Sequence, residues 1–411
     1  MRPDGELDPG AEHRRLLAYL GAAMIAGGQP VHDVEGELRG VATALGHPLA
    51  QIGATPTGLT VGLAPGSPAT FESIEGPLRL EQSAVVAEVR RGLAAGTVAP
   101  DEAFGRLGSL RSLPHRYPGW AQDASWSVIA IGIAMLLQPG RANILAAAIG
   151  GVVVMLLVKL AARVRFAATL LPTIAAFAVA SGVFAVAQAG WLDGPLRTLL
   201  APVAVLLPGA LMVTGMSELA AGAMVAGTAR LTFGVVQLML FSMGVFGATT
   251  MLGVAPELMA NLRVNELGWW GPPVGLVLIC VGVCLNEGAS MRLLPPITLV
   301  VAAAFGAQLA GQHLSGAVLG GFLGAVAGSL GAALAASVWP QLPRLVVFLP
   351  AFWVLVPGSL GLLSVTTLGL DPAQGARTAV DVAAVICALA LGLLFGSALA
   401  QAVTSRVRHL G

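Results

Sequence analysis

Two patterns of hydrophobic and polar positions divide the chain near residue 123. Before that point apolar residues recur at amphipathic spacing and are interleaved with charge. Leu16, Leu17, Leu20 and Met24 share one face of a predicted helix over 12–26, and a second periodic segment covers 31–45. A strand-like stretch, Leu59–Leu63, follows the turn-prone run Thr55-Pro56-Thr57-Gly58. Leu78–Ala95 reads as an amphipathic helix closing at Gly96. Asp101 and Glu102 suit the first turn of another helix, where carboxylates meet the positive end of the dipole, and Pro114 lies beyond its end. The segment 1–122 is therefore predicted to be a small α/β domain.

From Ala124 onward long apolar runs are separated by short breaks of Pro, Gly, Trp or Arg. They cover 124–138, 142–160, 167–188, 198–219 and 231–253, then 272–286, 294–311, 313–337, 345–367 and 380–403. Each approaches the roughly 20 residues that a helix needs to cross a hydrocarbon core. Helices are the one open-ended structure that satisfies its own backbone in lipid. The predicted fold is an α-helical integral membrane protein of about ten transmembrane helices. It divides into two five-helix halves, 123–270 and 271–411. The first and sixth runs are short, which leaves a tilted or re-entrant path open for either.

Composition agrees with this division. The chain is 56% hydrophobic and 10% charged, against about 25% charged residues in an average soluble domain. A net charge of +1 gives no concentrated basic face, which excludes a nucleic-acid partner. Cys280, Cys284 and Cys387 lie inside apolar runs, and no His or further Cys completes a metal site. Two arginines precede Leu16–Met24, but acidic residues lie upstream and no clean cleavage site follows, so a cleaved signal peptide is not expected.

Basic residues orient the bundle. With 1–122 in the cytoplasm, inside loops carry Lys159, Arg163, Arg165, Arg230, Arg292, Arg344, Arg406 and Arg408, whereas outside loops carry Arg141, Arg197, Arg263 and Arg377. That is a positive-inside bias with both termini cytoplasmic. The outside loops also hold Trp191, Trp269 and Trp270, which suit the headgroup zone. The predicted location is a bacterial cytoplasmic membrane.

An internal echo points to a site. Leu207-Pro208-Gly209 with Thr214-Gly215 answers Leu349-Pro350 with Val356-Pro357-Gly358-Ser359, each in the fourth helix of its half. Matched interrupted helices in two halves are the arrangement of inverted-repeat secondary transporters. A proline frees backbone groups that must find other partners. The predicted substrate-binding residues are Pro208, Gly209, Thr214, Gly215, Ser217, Pro357, Gly358 and Ser359. Freed carbonyls or Glu218 would take an ammonium, half-helix amides near Gly209 and Gly358 a carboxylate, and Thr214, Ser217 and Ser359 a hydroxyl. Ionisable residues in a membrane segment are functional candidates by default. Glu218, near the end of the fourth helix, Glu287, ending the sixth, and Asp381, opening the tenth, are the candidate proton carriers, and His313 is taken to open the eighth helix.

Gly27-Gly28-Gln29-Pro30-Val31-His32-Asp33-Val34-Glu35, Ala42–Gly46, Pro56-Thr57-Gly58 and Gly96–Leu107, together with the Leu-Pro and Pro-Gly elements, resemble the bacterial threonine/serine exporter family. The resemblance spans about residues 15–403. It implies a proton-motive-force-dependent exporter of threonine and serine with about ten membrane helices. One departure is His32-Asp33, where that family frequently has an Arg before Val-Glu. Related two-chain exporters imply dicarboxylates such as succinate as an alternative substrate. A third reading is a membrane-anchored enzyme or sensor acting through 1–122. No nucleophile elbow, Ser/His/Asp order or metal-ligand spacing supports catalysis, so no enzyme activity and no cofactor are predicted, and Glu35 is read as an anchor. Gly316, Gly320 and Gly324 allow close helix packing, compatible with a homo-oligomer or with a partner helix in the same chain.

Overall fold

The computed structural model describes residues 9–259, 262–338 and 372–410, and its residues group into two compact units. Among the described residues, one gathers those up to His115 together with Thr214–Arg230 and Val338, and the other holds the rest.

In the first unit, helix α1 (Pro9–Ala26) leads into α2 (Val31–Ala44). A three-stranded antiparallel sheet follows, β1 (Gln51–Thr55), β2 (Gly58–Gly62) and β3 (Ala69–Ser73), in the order β1-β2-β3. Ile52 pairs with Val61, and Thr60 with Phe71. Helices α1 and α2 cover the sheet, and α3 (Leu80–Ala94) and α4 (Pro100–Gly108) pack against α1 and each other. Leu16, Leu17, Leu20 and Met24 of α1 meet Val34, Leu38 and Val41 of α2, Leu59 and Val61 of β2, and Val86 and Val89 of α3 in one core. Loss of apolar contact with water drives this packing. Glu35 joins α2 to the sheet by accepting the Ala54 amide at 3.0 Å, and it also pairs with Arg39 at 3.1 Å. His13 and His47 share a hydrogen bond of 2.9 Å; partial burial, then the His13 charge, push the His47 pKa down.

The second unit is built from long apolar helices. They are α5 (Gly119–Leu137), α6 (Arg141–Ala161), α7 (Arg165–Gln188), the short α8 (Pro195–Thr198) and α9 (Leu200–Val203), α10 (Gly209–Ala220), α11 (Met224–Leu252), α12 (Gly271–Glu287), α13 (Leu294–Ser315), α14 (Ala317–Val338) and α15 (Pro372–Leu410). The last seven residues of α10 and the first seven of α11 belong to the first unit. Among the described residues eight helices are long and apolar enough to cross a membrane. The bent pair Pro195–Leu206 and Gly209–Ala220 adds a ninth if it is one span.

Several expectations are corrected here. The short first and sixth runs are unbroken helices, α5 and α12; the interruption lies in the fourth run, which bends by 63° around Pro208. Pro202 and Pro208 account for it, since each lacks an amide and the ring of each opposes the preceding turn. His313 does not open a helix. It lies in the last turn of α13, which Gly316 ends at φ +85°. Asp381 sits inside α15, which begins at Pro372. The segment 345–367 lies outside the described residues.

Glycines let these helices approach backbone to backbone. A Cβ on Gly132 of α5 would stand 2.7 Å from the Gly275 carbonyl of α12, and one on Gly275 equally close to the Gly132 carbonyl. A Cβ on Gly311 of α13 would stand 2.7 Å from the Gly320 Cα of α14, and one on Gly320 would stand 2.7 Å from the Gln308 carbonyl of α13, so the partner of Gly320 belongs to the same chain. Such small-residue interfaces hold helices in lipid, where no hydrophobic force draws them together. Gly132→Val is therefore expected to cost roughly 1–3 kcal/mol by overpacking. Gly182→Val, where a Cβ would meet nothing within 4 Å, should cost little. Thermal unfolding of the purified protein in detergent, with the Gly132 variant melting lower than the Gly182 variant, checks this.

Candidate functional site

The fourth run carries most of the candidate residues. Leu207 is extended, with φ −68° and ψ 138°, and Pro208 and Gly209 are buried where α10 begins. The Pro208 carbonyl accepts the Met212 amide at 3.0 Å, so the helix restarts at once after the break. Along α10, Gly215 and Ser217 are buried and Thr214 is half-buried. The chain then turns through Ala221–Ala223, with Gly222 at φ +86°, and returns as α11. A Cβ on Gly227 would lie 2.5 Å from the Gly215 carbonyl and 2.7 Å from the Leu219 amide nitrogen. Only glycine permits this close crossing of α10 and α11.

That crossing sets the arginine of α11 against the carboxylate of α10. Glu218 is fully buried, and its Oε2 lies 3.0 Å from Nε of Arg230, whose side chain is 12% exposed. The other carboxylate oxygen, Oε1, accepts the Val31 amide of α2 at 2.9 Å. Helix α2 starts after Pro30 with no side-chain cap of its own. A carboxylate 187 residues further along the chain fills that place, where the helix dipole and open amides favour an anion. Glu218 thus meets a full positive charge on one oxygen and a partial one on the other. Desolvating two charges is costly, and a buried pair repays that cost only with good geometry and added hydrogen bonds.

The remaining candidates are elsewhere. Glu287 ends α12, half-buried, with the Asn286 amide group donating to its Oε1 at 3.2 Å. Gly288, at φ +73°, caps that helix, and its carbonyl accepts from Arg116 at 2.9 Å. Asp381 is exposed. Pro357, Gly358 and Ser359 lie outside the described residues. No group of three or more His, Cys, Asp or Glu among the described residues could hold a metal ion. Cys280 and Cys284 are buried free thiols.

Two members of the cluster were not predicted as site residues. Arg230 read as a loop charge because its run was taken to begin at 231, and nothing in a sequence marks the Val31 amide as a partner. The usable signal was Gly227, which together with Gly215 indicates two helices in close contact on either side of Gly222.

Against known proteins, a family model described as "Putative threonine/serine exporter" matches residues 15–252. A curated relative from Mycobacterium tuberculosis, named "Probable threonine/serine exporter", is 26% identical over 339 residues, covering 78% of this chain. The chain spans 62% of the length of that relative. No solved structure matches the chain.

The pair itself can be tested by cutting one side. Glu218→Ala would leave Arg230 buried and uncompensated, and a loss of about 3–5 kcal/mol in stability is expected. Adding Arg230→Met, an apolar side chain of comparable length, should recover most of it. Thermal unfolding of both variants decides; a double variant no more stable than the single would contradict the pairing.

Proposed function

The chain belongs to the threonine/serine exporter family, and on that premise we propose that it exports threonine and serine across a bacterial cytoplasmic membrane at the expense of the proton motive force. Membership makes it a multi-pass membrane transporter rather than an enzyme. The cytoplasmic placement of the N-terminal unit rests on the excess of arginine and lysine in the loops that share its side.

The observation that carries the mechanism is the fully buried Glu218 at the end of an interrupted span. A broken helix near the membrane offers backbone groups to an amino acid. Pro208 and Gly209 supply such groups, with Pro357 and Gly358 as their counterparts in the second half. In this reading Thr214, Ser217 and Ser359 bond the substrate hydroxyl, with Gly215 between the first two in the chain. Glu218 carries the coupling proton, because a carboxylate set among helices exchanges its charge state at the greatest energetic leverage. Glu287 and Asp381, half-buried and exposed, rank behind it.

Reconstitution into proteoliposomes with labelled threonine, serine and succinate under an imposed pH gradient tests this. Gradient-driven movement of the two amino acids is expected, with Glu218→Gln abolishing the dependence on the gradient in a protein that still folds. Movement of succinate alone would replace the substrate with dicarboxylates, and unchanged gradient dependence in the variant would remove Glu218 from the coupling step.

A further inference from the structure

The cluster around Glu218 holds more buried polar atoms than it satisfies. Glu218 Oε2 and Arg230 Nε stand 3.0 Å apart as an ion pair, yet their angles do not make a hydrogen bond. Arg230 Nη2 is buried with no hydrogen-bond partner. Along the chain from Val31, Gln29 Oε1 and His32 Nδ1 are also buried atoms without a hydrogen-bond partner, on side chains that are otherwise half-buried. His32 Nε2 lies 3.6 Å from Asp33 Oδ1. Buried polar groups are nearly always paired, and a half-satisfied network is less stable than an apolar core. A contact serving only to fasten two helices to α2 has no need of these spare atoms.

Their chemistry is that of a receptor for a zwitterion. The donors are the Val31 amide at the start of α2 and the guanidinium of Arg230, whose planar fork suits a carboxylate. Gln29 Oε1, two residues before Val31, is an acceptor that suits an ammonium. One donor position is already filled by a carboxylate, that of Glu218. We propose that this cluster is the loading site for the amino-acid substrate, kept closed by Glu218 standing where the substrate carboxylate will bind. The inference rests on the export reading above and assigns it a first binding step. The substrate carboxylate takes the Val31 amide and the Arg230 fork, including Nη2, while its ammonium goes to Gln29. Glu218, displaced from both partners, is then open to a proton.

The arrangement makes an unusual demand on variants. Glu218→Gln keeps an oxygen for the Val31 amide but competes for the Arg230 fork without charge. It is therefore expected to bind threonine about tenfold more tightly than the unaltered protein, while a structural residue would weaken binding when changed. Arg230→Lys keeps the ion pair with Glu218 but loses the fork, and should bind about tenfold more weakly. Threoninamide, lacking the carboxylate, should not compete in any variant. Equilibrium binding of labelled threonine to the purified full chain in nanodiscs, beside flux measurements on the same preparation, reads all three. If the unaltered protein exports threonine while Glu218→Gln binds it no more tightly, the loading site is wrong and the export reading stands. If the unaltered protein neither binds nor exports threonine, the export reading fails first.

Discussion

A hydrocarbon layer offers no partner to a backbone amide or carbonyl, and that constraint shapes most of this chain. It forces every described crossing into helix, and it makes any interruption costly unless other groups take up the freed backbone. Glycines answer the packing side of the constraint. Gly132 against Gly275, Gly311 against Gly320 and Gly227 against Gly215 bring helices so close that a single Cβ would have to displace backbone. At Pro208 the constraint is relaxed, and the span bends there. A costly feature kept in such a setting is the natural place for function.

The Glu218 cluster is the second costly feature, and it lies on the same helix. Here a glycine contact has a direct chemical result: the crossing at Gly227 sets the α10 carboxylate against the α11 guanidinium. The same carboxylate reaches the uncapped start of α2. One side chain therefore belongs to a helix that restarts after a break, to an ion pair and to the dipole of α2. Any change in the charge of Glu218 acts on all three at once.

Much of this was legible in the sequence, for reasons that can be named. Long apolar runs report lipid directly, so α6, α7 and α12 begin and end within a few residues of their expected limits. Amphipathic spacing similarly located α1 to α3. Strand β2, buried on both sides of its single exposed residue, was visible. Its neighbours β1 and β3 were not: both alternate in burial, but β1 turns only Ile52 inward as a large apolar residue, and β3 exposes Phe71 while Thr70 and Glu72 are half-buried. Pro208 and Glu218 stood out by type. The partnership with Arg230 and Val31 did not, because it depends on a tertiary crossing and on a backbone amide, neither of which leaves a periodic trace.

The claim that joins these parts is that substrate displaces the Glu218 carboxylate from its partners. Threonine-induced infrared difference spectroscopy of the reconstituted protein, with glutamate isotopically labelled, observes that carboxylate directly. The account predicts a carboxylate band that changes on threonine addition, disappears from the difference spectrum in Glu218→Gln and survives in Glu287→Gln. A threonine-dependent spectrum unaffected by Glu218→Gln would contradict it.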